Sequence, residues 1–86
     1  MVDPPVKRHD ALALAIRRAR RARELTQTEL SSRTGLAARH ISEIERGNRN
    51  VRFSTLGAIV EDGFGMSLAA FFHRYYEPAR LGRPPG

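Results

Sequence analysis

Apolar positions recur along the chain at helical spacing. Leu12, Ile16 and Ala19 share one side of a segment placed at Ala11–Arg23, and Asp10 before it is a residue type that caps helix starts. Thr26-Gln27-Thr28-Glu29 fits a capping box, in which a Thr hydroxyl and the carboxylate three residues on each satisfy a backbone N–H that the helix leaves orphaned. Leu25 and Leu30 flank it as a hydrophobic staple. A helix over Gln27–Thr34 then runs out at Gly35, a natural left-handed C-cap. The next helix starts past Leu36, with Ala37 at its N-cap, and stops at Gly47 for the same reason. Phe53, Leu56, Ile59 and Val60 give an apolar stripe to a helix over 53–62, and Gly63-Phe64-Gly65-Met66 breaks it. Ser67 caps a last helix, Leu68–Tyr76, stopped by Pro78. The pattern predicts an all-α fold of five helices.

Two helices of about eight residues around a glycine turn form a helix-turn-helix. On the second, Ile41, Ile44 and Glu45 fall together, while Ala38, Arg39, Ser42, Glu43 and Arg46 cover the opposite side. The apolar face must pack inward and the polar face must meet solvent or a partner. A helix in a DNA major groove has this division of labour, as does an ordinary surface helix of a small bundle.

The chain has 86 residues, so one domain is expected. A chain this short buries only about 60–65% of its unfolded surface, and without cysteine no disulfide can add stability. No apolar run approaches the roughly 18–20 residues of a membrane span and no signal peptide is evident, so a cytoplasmic, membrane-free protein is expected. Net charge is +6 and the pI about 11.3. The charge is uneven: residues 1–50 hold 11 Lys/Arg against 6 Asp/Glu, whereas residues 51–86 hold 4 against 3. The half carrying the helix-turn-helix is therefore the half with the electrostatic footprint of a phosphate-binding surface. Lys7 is the sole lysine. Arginine suits phosphate and guanine recognition, although a GC-rich genome also produces it.

Other classes fit less well. The arginine-rich first helix is amphipathic, but its stripe is small and alanine-rich, without the bulky face of a membrane-surface helix. An enzyme is not expected: cysteine is absent, as are a paired-carboxylate cluster and a phosphate-cradling glycine loop. His40 has no second ligand at i+3 or i+4, so no metal is expected, and no cofactor or small-molecule ligand either.

The run IRRARRARELTQTELSSRTG, followed by ISEIERGNRNVRFSTL, resembles the Cro and phage-repressor (Xre-type) helix-turn-helix family over roughly Leu12 to Phe72. The match rests on Arg20, Gln27, Leu30, Gly35, Ile41-Ser42, Ile44-Glu45 and Gly47. The resemblance implies a five-helix, lambda-repressor-like domain that binds double-stranded DNA and controls transcription. It implies that Arg20 pairs with Glu45 as a structural ion pair. It also implies that the second helix meets a phosphate at its N-terminus, where Gln27 adds a donor, and that the Asn48-Arg49-Asn50 loop grips the DNA backbone. On the exposed face of the third helix, Arg39 can make a bidentate guanine contact. Glu43 can accept from cytosine or tether Arg39, and Ala38 can touch a thymine methyl. His40 can reach a phosphate or pack at the surface; Ser42 and Arg46 complete the DNA-facing set. The chain departs from the family at Glu24, where glycine is common, at Ser31, where alanine is usual, and at Ala37, where Ser or Thr is usual. One residue is also inserted between the fourth helix and Met66.

Phe64, Met66, Leu68, Phe71, Phe72, Tyr75 and Tyr76 crowd the C-terminal segment. A domain this small cannot easily bury them all. The first five and Tyr75 are therefore expected to join a homodimer, or else to close the single core. The expected organisation is a flexible arm at 1–9, the DNA-binding domain at 10–76 and a disordered tail at 77–86. The expected function is a homodimeric regulator on a (pseudo)palindromic operator. A restriction-modification controller and the antitoxin of a toxin–antitoxin pair both fit the size, and the Phe71-Phe72 ending resembles the controllers. A protein-interaction module without a DNA role stays open.

Overall fold

The computed structural model describes residues 8–48 and 50–77. The expectations for the N-terminal arm, for Arg49 and for the tail beyond Glu77 thus fall wholly or mainly outside the described residues. Within them the chain forms helices and no strands: α1 (Arg8–Ala22), α2 (Gln27–Thr34), α3 (Ala38–Glu45), α4 (Phe53–Gly57), which continues without interruption as a π-helical turn (Ala58–Gly63), and α5 (Leu68–Tyr75).

The short-range signals explain most boundaries. Thr26 Oγ1 accepts from the Glu29 N–H at 3.0 Å and Glu29 Oε1 accepts from the Thr26 N–H at 2.8 Å, so the capping box is complete. Gly35 ends α2 in the left-handed region, at φ 78°. Ser67 caps α5 by accepting from the Ala70 N–H at 3.1 Å. Ala37 starts α3 in extended geometry and, as expected of alanine, gives no side-chain cap. Glu24, the departure at the α1 exit, sits at φ 54°, a backbone that favours glycine. One boundary differs. α1 begins at Arg8, so Asp10 lies in its first turn and is not its N-cap; a carboxylate there still favours the positive end of the helix dipole.

The core is one cluster. Ala15, Ile16 and Ala19 of α1, Leu30 of α2, Ile41 and Ile44 of α3, Leu56, Ile59 and Val60 of the α4 segment, and Phe71 of α5 are buried together, with Leu25 and Phe64 from the connections. α2 packs against the π turn. Gly63 makes the approach possible: a Cβ there would overlap Leu30 Cδ1 and come within 3.1 Å of Thr34 Cγ2. α5 leaves the α4 segment at 89° and returns over α1.

The π turn winds more widely than an α-helix. Phe64 N–H donates to Ile59 O at 3.0 Å, a bond five residues back instead of four, and Met66 N–H reaches Val60 O at 3.2 Å. In an unbroken α-helix, one extra residue would turn everything after it by about 100°. A wider turn is a way to take up one extra residue without that rotation, and Gly63, Phe64 and Phe71 are buried.

Two expectations are corrected. The apolar stripe expected of α4 includes Phe53, but Phe53 is 74% exposed. As the first residue of α4 its side chain leans toward the helix N-terminus, beyond the last core layer. The expected subunit interface includes Phe64 and Phe71, but they are 4% and 0% exposed and lie in the core. Phe71 is ringed by Phe64, Phe72 and Tyr75 at centroid distances of 6.4, 5.4 and 6.2 Å.

Candidate nucleic-acid interface

The turn between α2 and α3 is held by side chains. Thr34 Oγ1 donates to Leu30 O at 2.8 Å and accepts from the Leu36 N–H at 3.2 Å, and Ser31 Oγ donates to Leu36 O. Ser31, at the family's alanine position, is thus small enough for the close approach and adds a bond across the turn.

A second lock ties α1, α2 and α3 together. Arg20 Nε donates to Glu45 Oε2 at 2.7 Å and Arg20 Nη2 to Glu45 Oε1 at 3.0 Å, a bidentate pair. The side chains are 12% and 2% exposed. Arg20 Nη1 donates to Leu25 O at 2.7 Å, and Gln27 Nε2 donates to Glu45 Oε1 at 3.1 Å. The carboxylate therefore receives three N–H groups. Hydrogen bonding to Glu45, and then its charge, hold the Arg20 guanidinium above its ordinary value against the opposing effect of burial. The Gln27 amide, expected to reach a phosphate, points inward to this network.

With Ile41, Ile44 and Glu45 turned in, the outer face of α3 is left to other residues. Arg39 and Arg46 are exposed; Ala38, His40, Ser42 and Glu43 are half-buried. Ala37, Arg39, His40 and Glu43 line a shallow depression of about 370 Å³. Asn48 and Asn50 in the following loop are exposed. Arg46 and Asn48 line a second depression with Asp10, Leu14 and Arg17 of α1, so the residues expected to face DNA border two depressions. Gln27 is half-buried and bonded to Glu45.

Not all the positive charge serves this face. Arg23 Nε donates to Phe64 O at 2.8 Å and its guanidinium lies 5.7 Å from the Phe64 ring centroid. Arg33 Nη1 donates to Gly63 O at 3.1 Å, and Arg18 pairs with Glu77 at 3.2 Å. Arg23 and Arg33 hold carbonyls where the π turn ends, where a cation is favoured. Charge counting along the sequence cannot separate such arginines from surface ones. It also passes over Arg52, exposed just beyond the loop.

A capped α2, a glycine turn and an α3 with one buried and one open polar face define a helix-turn-helix domain of the kind that lays α3 on DNA. The HTH_3 helix-turn-helix family model matches residues 16–62, and the chain belongs to that family. Its function is DNA binding in transcriptional regulation. Among solved structures, a single-residue variant of the restriction-modification controller protein C.Esp1396I is similar at 27% identity and a TM-score of 0.75, over 81% of this chain and 87% of that one. The wild-type controller gives 28% identity and a TM-score of 0.74, over 79% and 86%. No curated protein sequence matches the chain. No single described helix is long and apolar enough to cross a membrane.

Proposed function

We propose that the chain is a homodimeric regulator of the restriction-modification controller type, binding a (pseudo)palindromic operator through α3. The observation that carries this reading is the likeness to C.Esp1396I over most of both chains. On this reading Arg39 reads a base, with Glu43 orienting it and Ala38 and Ser42 small enough to let the helix approach. His40, Arg46, Asn48, Arg49 and Asn50 face the backbone, and the N-terminus of α2 meets a phosphate. Gln27 acts indirectly, by fixing α2 to α3 through Glu45.

The association face is α5. Phe72 is 37% exposed and stacks edge-on with Tyr76 at 5.2 Å, and Met66, Leu68 and Tyr75 are half-buried beside the core. A twofold dimer reads half-sites about one helical turn, roughly 10 base pairs, apart.

Selection from a random duplex pool, followed by anisotropy titration on the selected site and on its isolated half, tests the proposal. The expected result is a palindrome bound more tightly than the half-site, log affinity falling with log salt at about −0.9 per phosphate neutralised, and a dimer in sedimentation. A monomer at tens of micromolar that binds both duplexes equally refutes it.

A further inference from the structure

Arg20 and Arg23 are joined by one turn of backbone where α1 ends, the Arg23 N–H donating to Arg20 O at 3.1 Å. They hold different parts of the fold. Arg20 holds α3 through Glu45. Arg23 holds the α5 segment at both ends: Nε donates to Phe64 O, ahead of the helix, at 2.8 Å, and Nη1 donates to the hydroxyl of Tyr75, its last residue, at 3.4 Å. The guanidinium also lies over the Phe64 ring, which stacks on Phe71. α1 packs on α3 and on α5, so it joins the reading helix to the helix that carries Phe72. Phe71 is the one residue of α5 that is fully buried. A helix anchored by one buried ring keeps its place but can swing about that ring, and a second fixed point sets its direction. The Arg18–Glu77 pair beyond α5 is a surface pair and contributes little. Arg23 is half-buried and supplies the second point.

We propose that Arg23 is a positioning residue for operator recognition: by fixing the direction of α5 it sets the half-site spacing that the dimer reads. This rests on the reading above, in which two α5 faces join and each α3 enters one half-site. The tolerance is small. Across 25 Å, the middle one of the domain's three principal extents, a swing of α5 by roughly 10° carries α3 by about 4 Å, whereas one base pair rises about 3.4 Å. The twofold axis repeats the error in the second copy. A guanidinium suits the task, because its planar fork bonds two oxygens at a fixed separation and an ammonium does not. The fold also supplies a control. Arg33 reaches the same end of the π turn from α2, donating to Gly63 O at 3.1 Å, and bonds to no residue of α5 among those described.

Duplexes carrying two copies of the selected half-site test it, with the operator's own central spacing, one base pair fewer or one more. Each is titrated by anisotropy with wild type, Arg23→Met, Arg23→Lys and Arg33→Ala, beside the isolated half-site, and circular dichroism reports folding. Wild type is expected to lose about tenfold or more when the spacing is wrong by one base pair. In Arg23→Met this penalty is expected to fall to about threefold or less, with half-site affinity unchanged. Arg23→Lys, which keeps the charge but cannot bond both oxygens, should fall between. Arg33→Ala should keep the wild-type penalty. A wild-type penalty in Arg23→Met, or in Arg23→Lys if Arg23→Met does not fold, overturns the proposal. Equal relaxation in Arg33→Ala overturns it too, and assigns the effect to a loosened π turn. A half-site affinity that falls in Arg23→Met also overturns it, because positioning of α5 does not act within one half-site. Wild-type protein indifferent to spacing overturns the dimer reading itself, whereas a wild-type preference retained by Arg23→Met overturns this inference alone.

Discussion

Replacing Glu45 and Arg20, singly and together, measures what holds α3 to the rest of the domain. Arg20→Met leaves a carboxylate only 2% exposed with a single remaining donor, the Gln27 amide. This places the loss near the upper end of the range for breaking a buried pair, about 5 kcal/mol. Glu45→Leu leaves a guanidinium that is 12% exposed and still bonded to Leu25 O, so its loss belongs near the lower end, about 3 kcal/mol. The double variant strands no charge. Its residual cost is the Leu25 carbonyl, which loses its charged donor inside a buried turn, at about 1–2 kcal/mol. The half-buried Gln27 can turn to water. The double should therefore be more stable than either single, with a coupling of about 6 kcal/mol between single losses of about 5 and 3 and a double loss of about 1–2. Urea unfolding followed by far-ultraviolet circular dichroism at one protein concentration is the assay, because any dimer links stability to concentration. A single variant already unfolded in buffer counts as the large loss. An Arg20→Met variant within about 1 kcal/mol of wild type, or a double whose loss equals the summed losses of the singles, refutes the reasoning.

Four smaller predictions follow from local geometry. Gly63→Ala should destabilise by about 1–3 kcal/mol, because its Cβ meets Leu30 Cδ1; the loss should shrink in combination with Leu30→Val, as read by urea midpoints. Ala37→Ser should stabilise by about 1 kcal/mol, since the α3 start has no side-chain cap. Glu24→Gly should stabilise by up to about 1 kcal/mol by relieving a φ of 54°, seen as a rise in thermal midpoint. The bonds of Glu29 to the Thr26 backbone N–H and hydroxyl hold its carboxyl below the ordinary range. Its contribution is therefore present at neutral pH and disappears as pH falls below that range, and Glu29→Gln, which keeps the capping geometry, should flatten this part of the acid-unfolding curve.

Legibility followed the range of the interactions. Thr26, Gly35 and Ser67 act within four residues of themselves, so their helix ends could be read from neighbours alone. Asp10 misled because a carboxylate serves both as an N-cap and in a first turn, and nothing adjacent distinguishes the two. Ile41, Ile44 and Glu45 on one face of α3 were legible as a period. The inward turn of Gln27 was not, because it depends on where a carboxylate eighteen residues later arrives. Phe53 fitted its stripe in angle and missed it in height. Periodicity reports which side of a helix a residue occupies; it does not report whether the neighbouring layer extends far enough to cover it. The C-terminal aromatics divided the same way: composition showed a surplus, and only packing showed that Phe64 and Phe71 are inside and Phe72 outside.

The π turn at Ala58–Gly63 also bears on how such a chain changes length over evolution. A gain or loss of one codon inside a core helix is ordinarily ruinous, because every later contact rotates out of phase. Here the wider winding is confined to a single turn whose outer positions, Glu61 and Asp62, are exposed. Deleting either one is expected to restore ordinary α-helical winding and to keep Gly63 beside Leu30, which a retained cooperative urea transition would check. On that expectation, short and long forms of the helix lie one mutational step apart. A sequence alignment that opens a gap at this point marks a change of winding, not a change of loop.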